Sequence, residues 1–191
     1  MKSLLKVIPL HKNESALINK AIKHNREAQR VLFEMHAPKM LSVCRYYIKD
    51  IHQAEEAMLN GFFKVFKNLK SFKGKGSFGG WIRRIMVRES ISYLRYKKQV
   101  EFLSDADVSS SDNSASIQTD LEVNDIQKLI DDLPEGYRVV FMMYAVEGYK
   151  HHEIADALNI SEGTSKSQLF KARKMLQEQI KIVNKTNYGT H

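Results

Sequence analysis

Twenty residues in the middle of the chain, Glu101 to Asp120, read EFLSDADVSSSDNSASIQTD. They are rich in Ser and Asp, carry no Lys or Arg, and hold only scattered apolar residues. Such a stretch buries too little apolar surface to offset the entropy of ordering it, so it reads as a flexible acidic linker. The 191-residue chain is thereby divided into two folding blocks. On both sides the apolar residues recur at helical spacing, strand-like alternation is absent, and only 3 prolines occur. The expectation is an all-α protein of two small helical domains, each with its own core, over residues 26–100 and 121–182. Residues 1–25 are then an extension and 183–191 a tail.

Hydrophobic residues make up 43% of the chain and charged residues 27%, the composition of a soluble globular protein. No apolar run approaches the roughly 20 residues of a membrane-spanning helix, and the apolar stretch near Met1 is too short for a signal peptide. A cytoplasmic location is expected, without membrane insertion. Cys44 is the only cysteine, which rules out an internal disulfide and a several-thiolate zinc site. Among Leu41, Val43 and Ile48 it is expected to fill core. The net charge of +8 is unevenly spread: residues 1–100 hold 21 Lys or Arg against 7 Asp or Glu, residues 101–132 hold 1 against 9, and residues 133–191 hold 8 against 6. So basic a first block calls for a polyanionic partner, either nucleic acid or an anionic membrane surface.

In the first block the spacing predicts helices over Glu14–His24, Glu27–Lys49 with Pro38 bending or restarting it, His52–Lys70 and Phe78–Lys98. The connection Ser71 to Ser77 carries two glycines and reads as an exposed loop; it lacks the first glycine and the preceding strand of a phosphate-binding loop. At 100° per residue, Phe78, Trp81, Ile82, Ile85 and Met86 fall on one side of the fourth helix and Val87, Ile91 and Leu94 on the other. Two apolar strips imply burial on two sides. Between them Arg84, Arg88 and Arg95 lie within about 40° of each other, and Lys97 and Lys98 extend the row. Arginines in a row neutralise successive phosphates, each guanidinium fork matching two oxygens. A solvated face is the alternative, but such a face usually intersperses acids, and only Glu89 interrupts this one. Most of the aromatic residues belong to the core. Phe72 and Phe78, at the loop, are the ones placed to meet an unstacked base, with Lys73 beside them.

In the second block an acidic helix is predicted over Leu121–Asp132, and another from Leu133-Pro134-Glu135 to Val146, ended by Gly148. His151–Leu158 follows as a short helix, then the turn Asn159-Ile160-Ser161, with Ser161 as N-cap of a long helix to about Ile180. Short helix, tight turn and long helix make a helix-turn-helix. Ser165, Leu169, Ala172 and Leu176 form the inner face of the long helix, while Lys166, Ser167, Phe170, Lys171 and Lys174 point elsewhere. Phe170 among lysines suits apolar contact with a thymine methyl in a major groove. Helix-turn-helix pairs also serve enzymes as plain packing units. His151 and His152, being adjacent on a helix, share no face for a metal, and an exposed turn or a phosphate contact is expected of them. No catalytic constellation, cofactor site or metal site is evident.

Taken together, these residues resemble a known family: the chain is similar to bacterial RNA polymerase sigma factors of the extracytoplasmic-function (ECF) group, in the sigma-70 family. From about Leu32 to Gln99, Ala54-Glu55-Glu56, Phe62-Phe63-Lys64-Val65-Phe66, Gly76-Ser77-Phe78 with Trp81-Ile82, and Tyr93-Leu94-Arg95 resemble the second sigma domain. From about Leu133 to Leu176, Leu133-Pro134-Glu135, Val146-Glu147-Gly148, Glu153-Ile154-Ala155, Ile160-Ser161, Gly163-Thr164, Lys166-Ser167 and Lys171-Ala172-Arg173 resemble the fourth.

The resemblance implies a protein without catalysis of its own that binds core RNA polymerase and directs promoter-specific initiation. Glu55, Glu56, Leu59, Asn60 and Phe63 would dock on the clamp helices of the largest polymerase subunit. The loop residues Phe72, Lys73 and Phe78, with Trp81, would hold a base flipped from the minus-ten element, while Arg84, Arg88, Arg95 and Lys98 grip the backbone or the upstream duplex. Thr164, Lys166, Ser167, Phe170, Lys171 and Lys174 would read the minus-thirty-five element. An anti-sigma factor is implied as an inhibitory partner. Leu59-Asn60, Arg88, Ser92, Ser165 and Gln168 depart from the family's usual residues, so promoter sequence does not transfer from relatives. Ser165 places a hydroxyl on an inner face, where it needs a backbone carbonyl as partner. The rival function is an autonomous helix-turn-helix repressor or activator that does not bind core polymerase; it leaves the basic first block without a task.

Overall fold

The computed structural model describes residues 10–103 and 127–188, with side chains described from 14 to 97 and from 127 to 182. The segment 104–126, most of the predicted linker and the start of the predicted acidic helix, lies outside the described residues, as do 1–9 and 189–191. All regular structure among the described residues is helical.

The first block runs α1 (Leu10–Ile22), α2 (Arg26–Arg45), α3 (Ile51–Lys67), a short 3-10 turn (Leu69–Ser71) and α4 (Phe78–Leu103). Asn25 caps α2 by accepting from the Ala28 amide at 2.8 Å, and Asp50 caps α3 by accepting from the Gln53 amide at 2.8 Å. Each cap satisfies a backbone donor that a helix start leaves over. Pro38 neither breaks nor restarts α2. A proline inside a helix costs about 3 kcal/mol, but Leu32, Met40 and Val43, all 1% exposed, pin the helix to the core on both sides of it. The helix instead ends four residues before the predicted Lys49, at Arg45.

In α4 both predicted apolar strips are buried: Phe78, Ile82 and Met86 on one, and Val87, Ile91 and Leu94 on the other. The helix runs on to Leu103, three residues into the predicted linker. It crosses α3 so closely at Gly61 that a Cβ there would collide with the Met86 thioether. Overpacking of a tight core costs about 1–3 kcal/mol, and Gly61→Leu is expected to lower stability by at least that much in a denaturant titration. An unchanged midpoint would mean that the two helices can separate freely here.

In the second block residues 127–131 are helical, followed by α5 (Glu135–Phe141), α6 (His151–Leu158) and α7 (Glu162–Tyr188). The helix expected to continue to Val146 widens at Met142–Val146 into one π turn, closed by Glu147 N–H donating to the Met142 carbonyl at 3.1 Å. Gly148 then reverses the chain at φ 77°, which a side chain rarely tolerates. The turn between α6 and α7 has Asn159 in the left-handed region. Ser161 caps α7 as predicted, accepting from the Thr164 amide at 3.0 Å. That helix extends past the predicted Ile180, to Tyr188.

Instead of two separate cores, the buried side chains form one continuous cluster, in which Val139, Val140, Met142 and Met143 join those of the first block. Polar contacts also cross between the blocks. Arg45 bonds Asp131 at 2.8 Å, Arg138 donates to the Tyr47 carbonyl at 3.1 Å, and Arg83 forks onto the Glu147 carboxylate at 2.9 and 3.0 Å. Cys44 is core, as its neighbours suggested; burial pushes its thiol up to about 11, and at neutral pH it stays protonated.

Candidate nucleic-acid and polymerase interface

Three exposed surfaces carry the residues singled out above. The first is the outer face of α3. Ala54, Ala57, Met58, Phe62 and Val65 turn inward, which leaves Leu59 55% and Phe63 69% exposed one helical turn apart. Asn60 and Glu56 are exposed beside them, and Glu55 is half-buried with His52 3.7 Å away. A solvated Leu–Phe pair gains nothing in the free molecule. With a carboxylate at its edge, it has the make-up of a contact patch: apolar anchor, polar rim.

The second surface is the loop before α4 together with that helix. Ser77 caps α4 by accepting from the Gly80 amide at 3.1 Å, and Lys70, Lys73 and Lys75 are exposed around the loop. The aromatic residues sort differently from the expectation. Phe78 is 2% exposed, stacked on Trp81 at 5.8 Å and edge-on to His36 at 5.4 Å, so it is a wall of the core with no face left for a base. Its apolar neighbours claimed it, since it begins the strip that continues through Ile82 and Met86. Phe72 and Trp81, half-buried with ring centroids 5.5 Å apart, are the aromatic surfaces beside the loop that still reach solvent. Arg84, Arg88 and Arg95 are exposed along α4. Glu89, the acid that interrupts the row, is drawn off by Lys64 of α3 at 2.6 Å. The Lys98 side chain lies outside the described residues.

The third surface is the outer face of α7. Lys166, Ser167, Phe170, Lys171 and Lys174 are exposed, with Phe170 at 70%, and Leu169 and Ala172 are buried beneath. Lys171 Nζ stands 5.8 Å from the centre of the Tyr137 ring, and Lys166 reaches back to Glu162 at 3.4 Å. The Thr164 hydroxyl is taken up by the cap, 2.8 Å from Ser161 Oγ, and Ser167 Oγ donates to the Thr164 carbonyl at 3.0 Å. The two hydroxyls on this face are thus engaged within the helix, and Lys166, Lys171 and Lys174 carry its exposed amino groups. Gln168 lies on Gly136, where an added Cβ would meet its amide at 3.1 Å, so this departure from the family pattern is a packing residue.

Ser165, fully buried, bonds a side chain, not the backbone carbonyl expected of it: its Oγ is 2.9 Å from His151 Nδ1. His151 is accordingly no exposed turn residue; it stacks on Tyr144 at 4.7 Å, and Arg173 of α7 lies 5.5 Å over that same ring. His152 is exposed. The Ser165–His151 bond ties the two helices of the helix-turn-helix together, and Ser165→Ala, which strands the His151 nitrogen, is expected to cost about 1 kcal/mol in thermal or chemical unfolding. No loss would show that the pair is incidental.

Two family models match this chain: Sigma-70 region 2 over residues 32–100, and Sigma-70 region 4 over residues 124–176. The chain belongs to the sigma-70 family, in its ECF group. Members of this family are transcription initiation factors without enzymatic activity. Among curated proteins it is similar to the ECF RNA polymerase sigma factor SigW of Bacillus subtilis, 26% identical over 86% of this chain and 97% of that one. It is also similar to the ECF RNA polymerase sigma-E factor of Escherichia coli K12, 23% identical over 87% and 94%. Among solved structures, the sigma factor RpoE of Bartonella quintana, crystallised with the anti-sigma factor NepR, shares the fold at a TM-score of 0.53. It is 20% identical, with 80% of this chain and 96% of that one covered. The exposed α3 patch and the arginine row fall within the region 2 match, and the outer face of α7 within the region 4 match. Among the described residues no group of three metal-binding side chains occurs, and no helix is long and apolar enough to cross a membrane.

Proposed function

We propose that this sigma factor divides its work among the three surfaces. The Leu59–Phe63 patch, rimmed by Glu55, Glu56 and Asn60, docks on the clamp helices of core polymerase. Phe72 and Trp81, with Lys73 and the row Arg84, Arg88 and Arg95, engage the minus-ten element. Lys166, Phe170, Lys171 and Lys174 read the minus-thirty-five element in the major groove, Phe170 contacting a thymine methyl. Strand opening follows from binding the unpaired strand better than the duplex and consumes no nucleotide. The observation that carries this reading is the exposure, on one small chain, of an apolar anchor pair, an arginine row and a lysine-rich helix face, each on a different helix.

Binding core polymerase and promoter DNA places the protein in the cytoplasm. An anti-sigma factor is a further partner; the related Bartonella structure is a complex with one.

Lys171→Ala tests the division of labour. It is expected to weaken holoenzyme binding to the upstream element several-fold and to lower the slope of log affinity against log salt by about 1. Opening on a pre-melted template is retained. Equal failure on pre-melted DNA would contradict the assignment of α7 to the upstream duplex.

A further inference from the structure

Helix α1 lies outside both family matches, yet it supports the surface assigned above to the minus-ten element. Ile18 and Ala21 bury it against the core, where it packs on α2 and on the 3-10 turn Leu69–Ser71 that leads into Phe72. Glu14 reaches from α1 to α2: its Oε1 is 2.9 Å from His36 Nε2, with 22% of the Glu14 side chain and 14% of the His36 side chain exposed. A carboxylate only accepts, so Nε2 carries the proton and donates. The same imidazole stands edge-on to Phe78 at 5.4 Å and rests on the first turn of α4, 3.7 Å from where a Cβ at Gly79 would stand. Phe78 in turn backs both aromatic surfaces beside the loop, its ring 5.1 Å from that of Phe72 and 5.8 Å from that of Trp81. One chain of contacts therefore runs from Glu14 through His36 and Phe78 to Phe72 and Trp81.

We propose that Glu14 and His36 are positioning residues for the minus-ten surface: the bond between them fixes the imidazole behind Phe78 and so holds Phe72 and Trp81 in the arrangement that receives an unpaired base. The proposal rests on the assignment of Phe72 and Trp81 to the minus-ten element made above.

The physical basis is preorganisation. An imidazole turns broadly about χ2, and only part of that rotation keeps its edge on Phe78. A carboxylate at Nε2 selects one orientation. Aromatic pairs prefer particular angles, so a turned imidazole shifts the rings that lean on Phe78. A surface already ordered before the base arrives has less freedom left to lose on binding. Helix α1 acts at two places, on the turn before Phe72 and on the wall at Phe78. Its contribution is to affinity for the unpaired strand. Leu59 and Phe63 are not in this chain of contacts, so docking on core polymerase is not affected.

Trp81 is the only tryptophan of the chain, so its fluorescence reports on this cluster. In the free full-length protein, Glu14→Ala is expected to shift the Trp81 emission and to raise its quenching by acrylamide. In complex with core polymerase, the same variant is expected to lose about fivefold in affinity for a single-stranded oligonucleotide carrying the minus-ten element of a mapped promoter, because apparent affinity scales with the fraction of molecules in the competent arrangement. Affinity for core polymerase stays at the wild-type value. Glu14→Gln, whose amide oxygen still accepts from His36, is expected to restore both readouts. In a double-mutant cycle Glu14→Ala adds little to the loss caused by His36→Ala, since it acts through that ring. Circular dichroism checks that helix content is kept, and Phe72→Ala, expected to weaken strand binding directly, is run alongside.

Unchanged Trp81 fluorescence or unchanged strand binding in Glu14→Ala, where Phe72→Ala does weaken the strand, overturns the positioning role. A lower melting temperature with neither readout moved also overturns it, and makes the pair plain packing between α1 and α2. No rescue by Glu14→Gln, or fully additive losses in the cycle, breaks the link through His36. A Phe72→Ala holoenzyme that binds the strand like the wild type overturns the minus-ten assignment itself.

Discussion

Phe63→Ala is expected to weaken binding of core RNA polymerase by about thirtyfold or more while leaving the free protein as stable as before. Phe63 is 69% exposed and Leu59, one turn earlier on α3, 55% exposed, so truncation removes little that the isolated fold uses. Surface changes of this kind alter stability by about 0.5 kcal/mol or less. At an interface the same ring becomes an anchor: exposed aromatic residues ringed by polar groups are the side chains whose loss costs about 2 kcal/mol or more, which is about thirtyfold in affinity. Competition for core polymerase against labelled wild type measures it. Affinity within twofold of wild type would remove α3 from the docking surface, and the Leu59-Asn60 departure would then mark a real change of contact.

The second large effect is expected from removing the arginine row. Arg84→Ala, Arg88→Ala and Arg95→Ala together should lower holoenzyme affinity for promoter DNA at least about a hundredfold at low salt. The slope of log affinity against log salt should flatten by about 2.7, since each phosphate contact on duplex DNA contributes about 0.9. These side chains are exposed, so the helix they leave behind still packs through its two buried strips. Arg83 makes the control within the same helix: engaged with Glu147, it is not counted in the slope. A salt dependence unchanged in the triple variant would mean that the row is a solvated face after all.

Features that depend on local periodicity were legible in the amino-acid sequence. The two buried strips of α4, the arginines between them, the Ser161 cap and the outward Phe170 all follow from spacing within one helix, where burial on one side dictates what faces the other. What escaped was long-range or irregular. Arg83 and Glu147 are 64 residues apart, and Arg138, 1% exposed, meets the Tyr47 carbonyl 91 residues away. No periodicity reports such pairs, and a lone Arg on an apolar helix reads as a surface residue. The π turn at Met142–Val146 has no local signal either, yet it places Tyr144 against His151. Phe78 departs from its expected role for a different reason: it stands where loop becomes helix, and there its place in the buried strip outweighs its nearness to the loop. The ordered motifs of two sigma regions carried the function further than any single residue did, because they tie together surfaces whose purposes are separately ambiguous.

The most direct test of the central claim is run-off transcription by purified bacterial core RNA polymerase from a genomic fragment library, with and without this protein, after a pull-down of the two. Stable association and new transcripts with discrete start sites, absent when the protein is omitted, are the predicted result. No association, together with tight palindrome-selective DNA binding by the protein alone, would contradict it and make the chain an autonomous helix-turn-helix regulator.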